Sequence, residues 1–491
     1  MRFFALLIFS FCLCLAARPL DSGRAATSTP SADSWDSAEY EGESSEQNPE
    51  ATQESATMVV NDMLSQIQDL TKNSKNMVGL TELLNGADNN YSLQAALLQV
   101  ASAKKNTTIA KASFLPRLDI DYAYQYTYRS LQSARSTFGD NVMDFGQMGN
   151  YQNQAASARF SLDLFSGFST LNQIRERSAT YRSSIADAEH TKQQIYLQVI
   201  QQYYSYFNNL SQLLSLARQL EEVQSDLKRV EQLYRSGLST IDDMESLRSQ
   251  VSSSEYQIAS MKLSVEENIL MLKYLTNLEF DGLRREDIAT PALKTDIERA
   301  DITSLKEQIK SLKYQNKQLN YFPTITLADT YTWNVQKPAY VTATGANPFL
   351  VIQFPTHSNV LSITATLKLF DDIGLTLQKQ YMKLNQLSQE KQLAYRQAEK
   401  TKDEILYRRR LEVARSQILS SEASLKSANI SFDNVRKRYN NQLVNFTDYL
   451  RALSTKYNAE ATYNQALNNY ELQKANYIFY SGQTIQEYVK K

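Results

Sequence analysis

Two pairs of landmarks constrain this chain more than any other feature. Leu164-Phe165 reappears as Leu369-Phe370, and Tyr234 reappears as Tyr439, each 205 positions later. The 69 positions from Phe165 to Tyr234 are thus matched by 69 from Phe370 to Tyr439, with no net insertion or deletion. Within the first copy Val199, Tyr206, Leu213, Leu220, Leu227 and Tyr234 recur every seven residues, and Leu411, Ile418, Leu425, Phe432 and Tyr439 keep that register in the second. A sustained seven-residue apolar repeat belongs to a helix packed along its whole length on neighbouring helices. No Pro interrupts 170–235 or 375–440. Each stretch therefore predicts one helix roughly 100 Å long at about 1.5 Å per residue. An ordinary compact domain cannot hold two such helices.

The bulk numbers exclude several classes. A net charge of −1 over 491 residues suggests no nucleic-acid partner. A mean hydropathy of −0.46 argues against a polytopic helical membrane protein, which would need several runs of about 20 apolar residues. Thirty tyrosines are more than a plain coiled coil needs, and they suit surfaces half apolar and half wet. Both cysteines, Cys12 and Cys14, lie in the apolar run Phe3–Leu15, which with Arg2 and Ala16-Ala17 reads as a signal peptide over residues 1–17. Cleavage is expected after Ala16, or else after Ala25, and the cysteine contexts do not read as a lipoprotein signal. The mature chain would hold no cysteine. His190 and His357 stand in unrelated settings and no glycine-rich phosphate loop is present. No enzyme, cofactor or metal site is expected.

Residues 18–57 are Ser-, Ala- and acid-rich and read as a disordered acidic extension. A first repeat is expected over 58–295 and a second over 296–491. From Met58 the apolar spacing is helical (Val59, Met63, Ile67, Leu70), Asn85-Gly86 marks a break, and a helix from Tyr91 to Ser113 ends at Pro116. The period then changes to two. Leu118, Ile120, Tyr122, Tyr124, Tyr126 and Tyr128 oppose Asp119, Asp121, Ala123, Gln125 and Thr127, predicting a strand over about 117–129. A loop from Leu131 to Gln154 and a second strand over about 156–166 precede the first long helix, about 169–236. Ser236-Gly237 stops that helix, and a return helix runs from Ile241 to about Asn277. The second repeat follows the same plan: a helix from Ile302 to Tyr321, strands over about 324–335 and 358–370, a long helix over about 374–440 and a return helix from about Phe446 to Tyr480. Its loop, Gln336–Thr356, is unusually apolar at Phe349–Phe354.

Strands of about 12 residues reach roughly 40 Å, long enough to cross a bilayer when tilted. Four strands cannot close a barrel, and open edges are not tolerated in lipid. Three chains would supply twelve strands and, with each short helix pair matching one long helix in length, twelve helix-lengths. The result would be a trimeric α+β membrane protein, a 12-stranded barrel continuous with a helical barrel. Strands of a soluble sandwich are the competing explanation of the alternation.

The chain resembles the TolC-like outer membrane efflux proteins. The likeness rests on the order and spacing of paired motifs over about residues 60 to 485. These are Phe114-Leu115-Pro116 and Tyr321-Phe322-Pro323 before a strand, Leu164-Phe165-Ser166-Gly167 and Leu369-Phe370-Asp371-Asp372 after one, and Tyr234-Arg235-Ser236-Gly237 at the helical turn. The resemblance implies a homotrimer in outer membrane lipid with a large periplasmic tunnel, whose closed mouth opens when a periplasmic adaptor and an inner membrane transporter dock. It puts the gate at the two turns. Tyr439 takes the place of the family's gating tyrosine and Asp243, with Asp242 beside it, that of its acidic partner. The family's gate arginine falls on Val444, leaving Arg438 or Arg451 as substitutes. Of the family's aspartate ring, the first member corresponds to Asp448 and the second falls on Arg451. Adaptor docking is expected at Ser236, Gly237 and Leu238 and at Asn441, Gln442 and Leu443. The implied function is the exit duct of an efflux pump or type I secretion system, for small molecules, proteins or both. The alternative is a periplasmic coiled-coil adaptor without a pore.

Overall fold

The computed structural model describes residues 76–138, 141–293, 297–336, 340–343, 349–351, 356–368, 373–441 and 443–489. The expected signal peptide, the acidic extension, the helix from Met58 to Leu70, Leu369 to Asp372 and Gln442 lie outside them.

Eight helices and eight strands are described: β1 (Met77–Val78), α1 (Leu80–Ala87), α2 (Tyr91–Ala112), β2 (Arg117–Phe138), β3 (Asn141–Ser166), α3 (Ser169–Arg235), α4 (Ile241–Thr276), β4 (Gly282–Leu283), α5 (Ala300–Gln318), β5 (Thr324–Gln336), β6 (Tyr340–Ala343), β7 (Phe349–Val351), β8 (His357–Thr366), α6 (Gly374–Asn440), α7 (Phe446–Ser481) and α8 (Gln486–Val489). The two long helices, α3 and α6, each hold 67 residues. Among the described residues, no helix is long and apolar enough to cross a membrane.

The helices form one layer. Helix α3 packs on α2 and α5 along its sheet-proximal half and on α4 and α7 along its distal half, while α6 packs on α5 and α7. The lateral order is α2/α4, α3, α5/α7, α6. This order explains an asymmetry between the long helices. Val199, Tyr206, Leu213 and Leu220 of α3 are all but fully buried, because α3 has neighbours on both sides. Helix α6 buries Leu411 and Phe432 but leaves Leu377, Leu384, Ile405 and Leu419 exposed. These four also lie at multiples of seven. On the other edge Tyr256, Leu263 and Leu270 of α4 form a second exposed seven-spaced stripe.

The sheet is antiparallel, with β2, β3, β5 and β8 as successive neighbours. Leu118, Ile120, Tyr122 and Tyr124 of β2 and Leu361 and Ile363 of β8 are exposed, so the apolar face stands open at both edges. Asp329 interrupts that face, paired in register with Phe160 and Leu361. The expected strands at 117–129 and 156–166 are too short. Pairing continues from Ser130↔Gly149 to Phe138↔Asn141, after an irregularity between Thr127 and Ser130, through the segment expected to be a loop. The loop Gln336–Thr356 likewise contains β6 and β7, paired through Tyr340↔Val351. Backbone ladders hold these extensions, so no apolar alternation is needed to form them.

A small layer packs on the middle of α3. Strands β1 and β4 pair in parallel, and α1 and α8 join them. The hydroxyls of Tyr203 and Tyr204 donate to the carbonyls of Arg284 and Glu286, and that of Tyr196 donates to Asp88. Burial pushes all three phenols up. The expected break at Asn85-Gly86 is instead inside α1. Gly86 is needed for close approach, since a Cβ there would lie 2.4 Å from Leu278 Cδ1.

Candidate functional site

The helical layer ends in two hairpins, and their backbones close alike. At the first, Leu238 N donates to Leu233 O at 2.8 Å and Gly237 N to Tyr234 O at 2.9 Å. This pattern ends a helix through a left-handed residue, and Gly237 has φ of +70°. At the second, where Asn440-Asn441-Gln442 replaces the Ser-Gly stop, Leu443 N donates to Arg438 O at 2.8 Å. Leu238 and Leu443 occupy equivalent positions and are 75% and 67% exposed. Ser236 Oγ donates to Gln232 O at 2.9 Å, and Asn441 N donates to Lys437 O.

The return helices also start alike. Thr240 caps α4, accepting from Asp243 N, while Asp243 Oδ2 accepts from Thr240 Oγ1 at 2.7 Å. That reciprocal box and Ser239 hold the Asp243 carboxyl below the usual range. Asn445 caps α7 by accepting from Asp448 N at 2.7 Å. The shared Asp243 and Asp448 are therefore residues of the first helical turn in both repeats, and Asp242 is an exposed neighbour.

Three of the expected gate residues, with Val444, meet at one groove. Arg438, Val444, Asp448 and Arg451 line a cavity of about 420 Å³ between α6 and α7, with Ala428, Ser431, Val435, Ala452 and Thr455. Arg451 Nη1 stands 4.0 Å from Asp448 Oδ1. Tyr439 stacks on Tyr449 with ring centroids 4.9 Å apart, so its ring fastens α6 to α7 within the second hairpin.

A set of residues absent from the expectations joins α3 to α7 beside this groove. Arg229 Nη1 donates to Thr447 Oγ1 at 3.1 Å. Burial, then the nearby Asp226 charge, pushes the Glu222 carboxyl up to about 7, against lowering by Ser454 and Arg451. Its Oε2 is buried without a hydrogen-bond partner. Burial also raises Asp226. In the second repeat the positions of Glu222 and Asp226 hold Ser427 and Ser431. Three charges along one helix read as a solvated face; the clue was their absence from the other copy.

The architecture and the hairpin geometry can be set beside known proteins. The family model described as outer membrane efflux protein matches residues 85–278. Over that segment the chain is similar to the outer membrane efflux proteins. The segment is most of the first repeat, and the likeness in fold extends over the second. The Campylobacter jejuni CmeC outer membrane channel superposes with a TM-score of 0.67 at 17% identity, covering 84% of this chain and 87% of that one. The outer membrane protein VceC of Vibrio cholerae gives 0.64 at 14% identity, covering 83% and 96%. In sequence, the outer membrane protein TolC of Vibrio cholerae serotype O1 is 25% identical over 159 residues, which is 32% of this chain and 33% of that TolC. The TolC-like resemblance drawn from the paired motifs thus stands, with a fold shared with outer membrane channels.

Proposed function

We propose that this chain is the exit duct of a tripartite export machine, working as a homotrimer with no chemistry of its own. The family whose model matches residues 85–278 is one of outer membrane efflux proteins, and the match supports an outer membrane location with a large periplasmic portion. The observation that carries the duct is the pair of open edges. The sheet ends in β2 and β8 and the helical layer in α2/α4 and α6, and each of these edges exposes apolar side chains. Unlike edges that complement each other build rings, and closing sheet and helices together removes every free strand edge. Three copies give twelve strands and twelve helix-lengths around one lumen. A periplasmic coiled-coil adaptor without a pore would not need the exposed apolar face of Leu118, Ile120 and Tyr122.

In this reading the hairpins form the gate and the docking site. Tyr439, Arg438, Asp448 and Arg451 hold α6 and α7 together, while Asp242 and Asp243 shape the facing turn. Exposed Leu238 and Leu443, with Ser236, Gly237, Asn441 and Gln442, offer the tips to a periplasmic adaptor, which an inner membrane transporter accompanies. Rings of both Asp448 and Arg451 would give weaker cation selectivity than Asp alone. The test is an unheated gel of membranes separated by density. A trimer band in the outer membrane fraction that collapses on boiling is expected; a boiling-insensitive monomer in the periplasm would refute the duct.

A further inference from the structure

Five lysines line a groove that the export role does not use. Lys310, Lys313 and Lys317 of α5 and Lys379 and Lys383 of α6 surround a cavity of about 380 Å³, with Tyr314, Asn316 and Gln386. Two carboxylates pair with its lysines from outside the lining: Glu307, on the side of α5 toward α3, bonds Lys310 at 2.6 Å, and Glu390 lies 3.7 Å from Lys313. Among the described residues, Lys317, Lys379 and Lys383 have no ion pair, and the surplus of positive charge is three.

Position gives this charge a meaning. Lys317 is next to the last residue of α5 and Lys379 is in the second turn of α6, so the groove occupies roughly the first 12–15 Å below the sheet. The junction above it exposes Phe114, Leu115, Phe168, Tyr321 and Phe322. Phe165, Phe168 and Phe322 meet edge to face. An aromatic girdle of this kind marks the membrane–water interface of a barrel.

The flank is also right. On α5 the residues toward α3 are Ser304, Glu307, Ser311 and Gln318. The lysines follow one side of that line, and Leu305 and Gln308, which line the cavity around His190, follow the other. Helix α3 descends from the sheet and α5 ascends to it. On right-handed helices this puts the lysine flank on the side of the layer that carries β1 and β4. A ring of twelve helices about 10 Å apart has no room inside for three such small layers, so that side faces outward.

We propose that the lysine groove binds the headgroups of anionic phospholipids in the periplasmic leaflet, fixing the depth at which the duct sits. This rests on the duct reading for its orientation. The three surplus positive charges stand at headgroup level, where each basic residue attracts an anionic surface.

The test is native mass spectrometry of the purified full-length protein in detergent with added phosphatidylglycerol or phosphatidylethanolamine of equal chain length. The wild type is expected to retain the anionic lipid at least about fivefold better. The variant Lys313→Gln, Lys317→Gln, Lys379→Gln, Lys383→Gln should lose that preference. All four side chains are exposed, so the variant keeps its fold. Equal retention of the two lipids by the wild type, or a preference that survives in the variant, overturns the proposal. So does a lysine-dependent block of channel current by added inorganic polyphosphate, which would put the lysines in the lumen. The groove lies within one chain, so the lipid readout holds for monomer or trimer. The unheated trimer band reports separately on the duct.

Discussion

The backbone amide of Leu443 donates to the carbonyl of Arg438 at 2.8 Å, in the same place and at the same length as the bond from Leu238 to Leu233 in the first repeat. Duplication has preserved the backbone closure of the two hairpins while their side chains diverged.

Gly237 is free of neighbours within 4 Å of where a Cβ would stand, yet its φ is +70°. Gly237→Ala should therefore cost only backbone strain, about 1 kcal/mol. Hydrogen exchange at the Leu238 amide should speed up about fivefold, while exchange in the buried middle of α3 stays unchanged.

Glu222 predicts how the mouth answers to pH. A carboxyl raised to about 7 by packing against α7 destabilises that packing when ionised. The penalty is absent below the ordinary value of 4.5, grows as pH rises, and is complete above about 7. Acidification from pH 8 to 5 should tighten the contact between α3 and α7. Glu222→Gln should bring the tightened state to pH 8 and flatten the profile, by about 1 kcal/mol once the group's partial exposure is discounted. Cross-linking between cysteines placed at Ser215 and Asn458, whose side chains meet at 2.8 Å across α3 and α7, reads it, and a wild-type yield that falls on acidification would contradict the sign.

The edge stripes predict a separation of folding from assembly. Leu263 and Leu384 are exposed in the protomer, so Leu263→Glu or Leu384→Glu should leave monomer helicity intact. Each places a charge in a packed apolar interface and should remove the trimer band. Mass photometry checks the assembly and circular dichroism the fold.

Tyr203 ties α3 to the small layer, donating to Arg284 O and accepting from Glu286 N at 2.8 Å. Tyr203→Phe should cost about 1 kcal/mol, because it removes hydrogen bonds to two partly buried backbone groups. Denaturant unfolding of the detergent-solubilised protein would measure it.

What could be read before the structure followed from periodicity. The heptads of α3 and α6 and the alternation from Leu118 to Tyr126 are repeated signals that packing or lipid enforces. Where no apolar face is needed, as from Ser130 to Phe138, a strand looks like a loop. The two-residue strands β1 and β4 carry no period at all, and their place is set by tyrosines on α3 far away in sequence. Asp243 was visible as a duplicated residue, but its hydrogen bonds to Thr240 show a capping role that the repeat alone did not suggest. Glu222 and Asp226 stayed hidden because charges on a helix look the same whether they face water or a neighbour.

Single-channel recording in planar bilayers tests the central claim most directly. The wild type should insert as a trimer with a small closed-state conductance, and Tyr439→Phe combined with Asp243→Ala should raise it severalfold. Asp243→Asn, which keeps a cap for α4, would show how much of the rise comes from the lost carboxylate charge. A protein that inserts no conducting unit at all, or a double variant with an unchanged closed-state conductance, would contradict the gated duct.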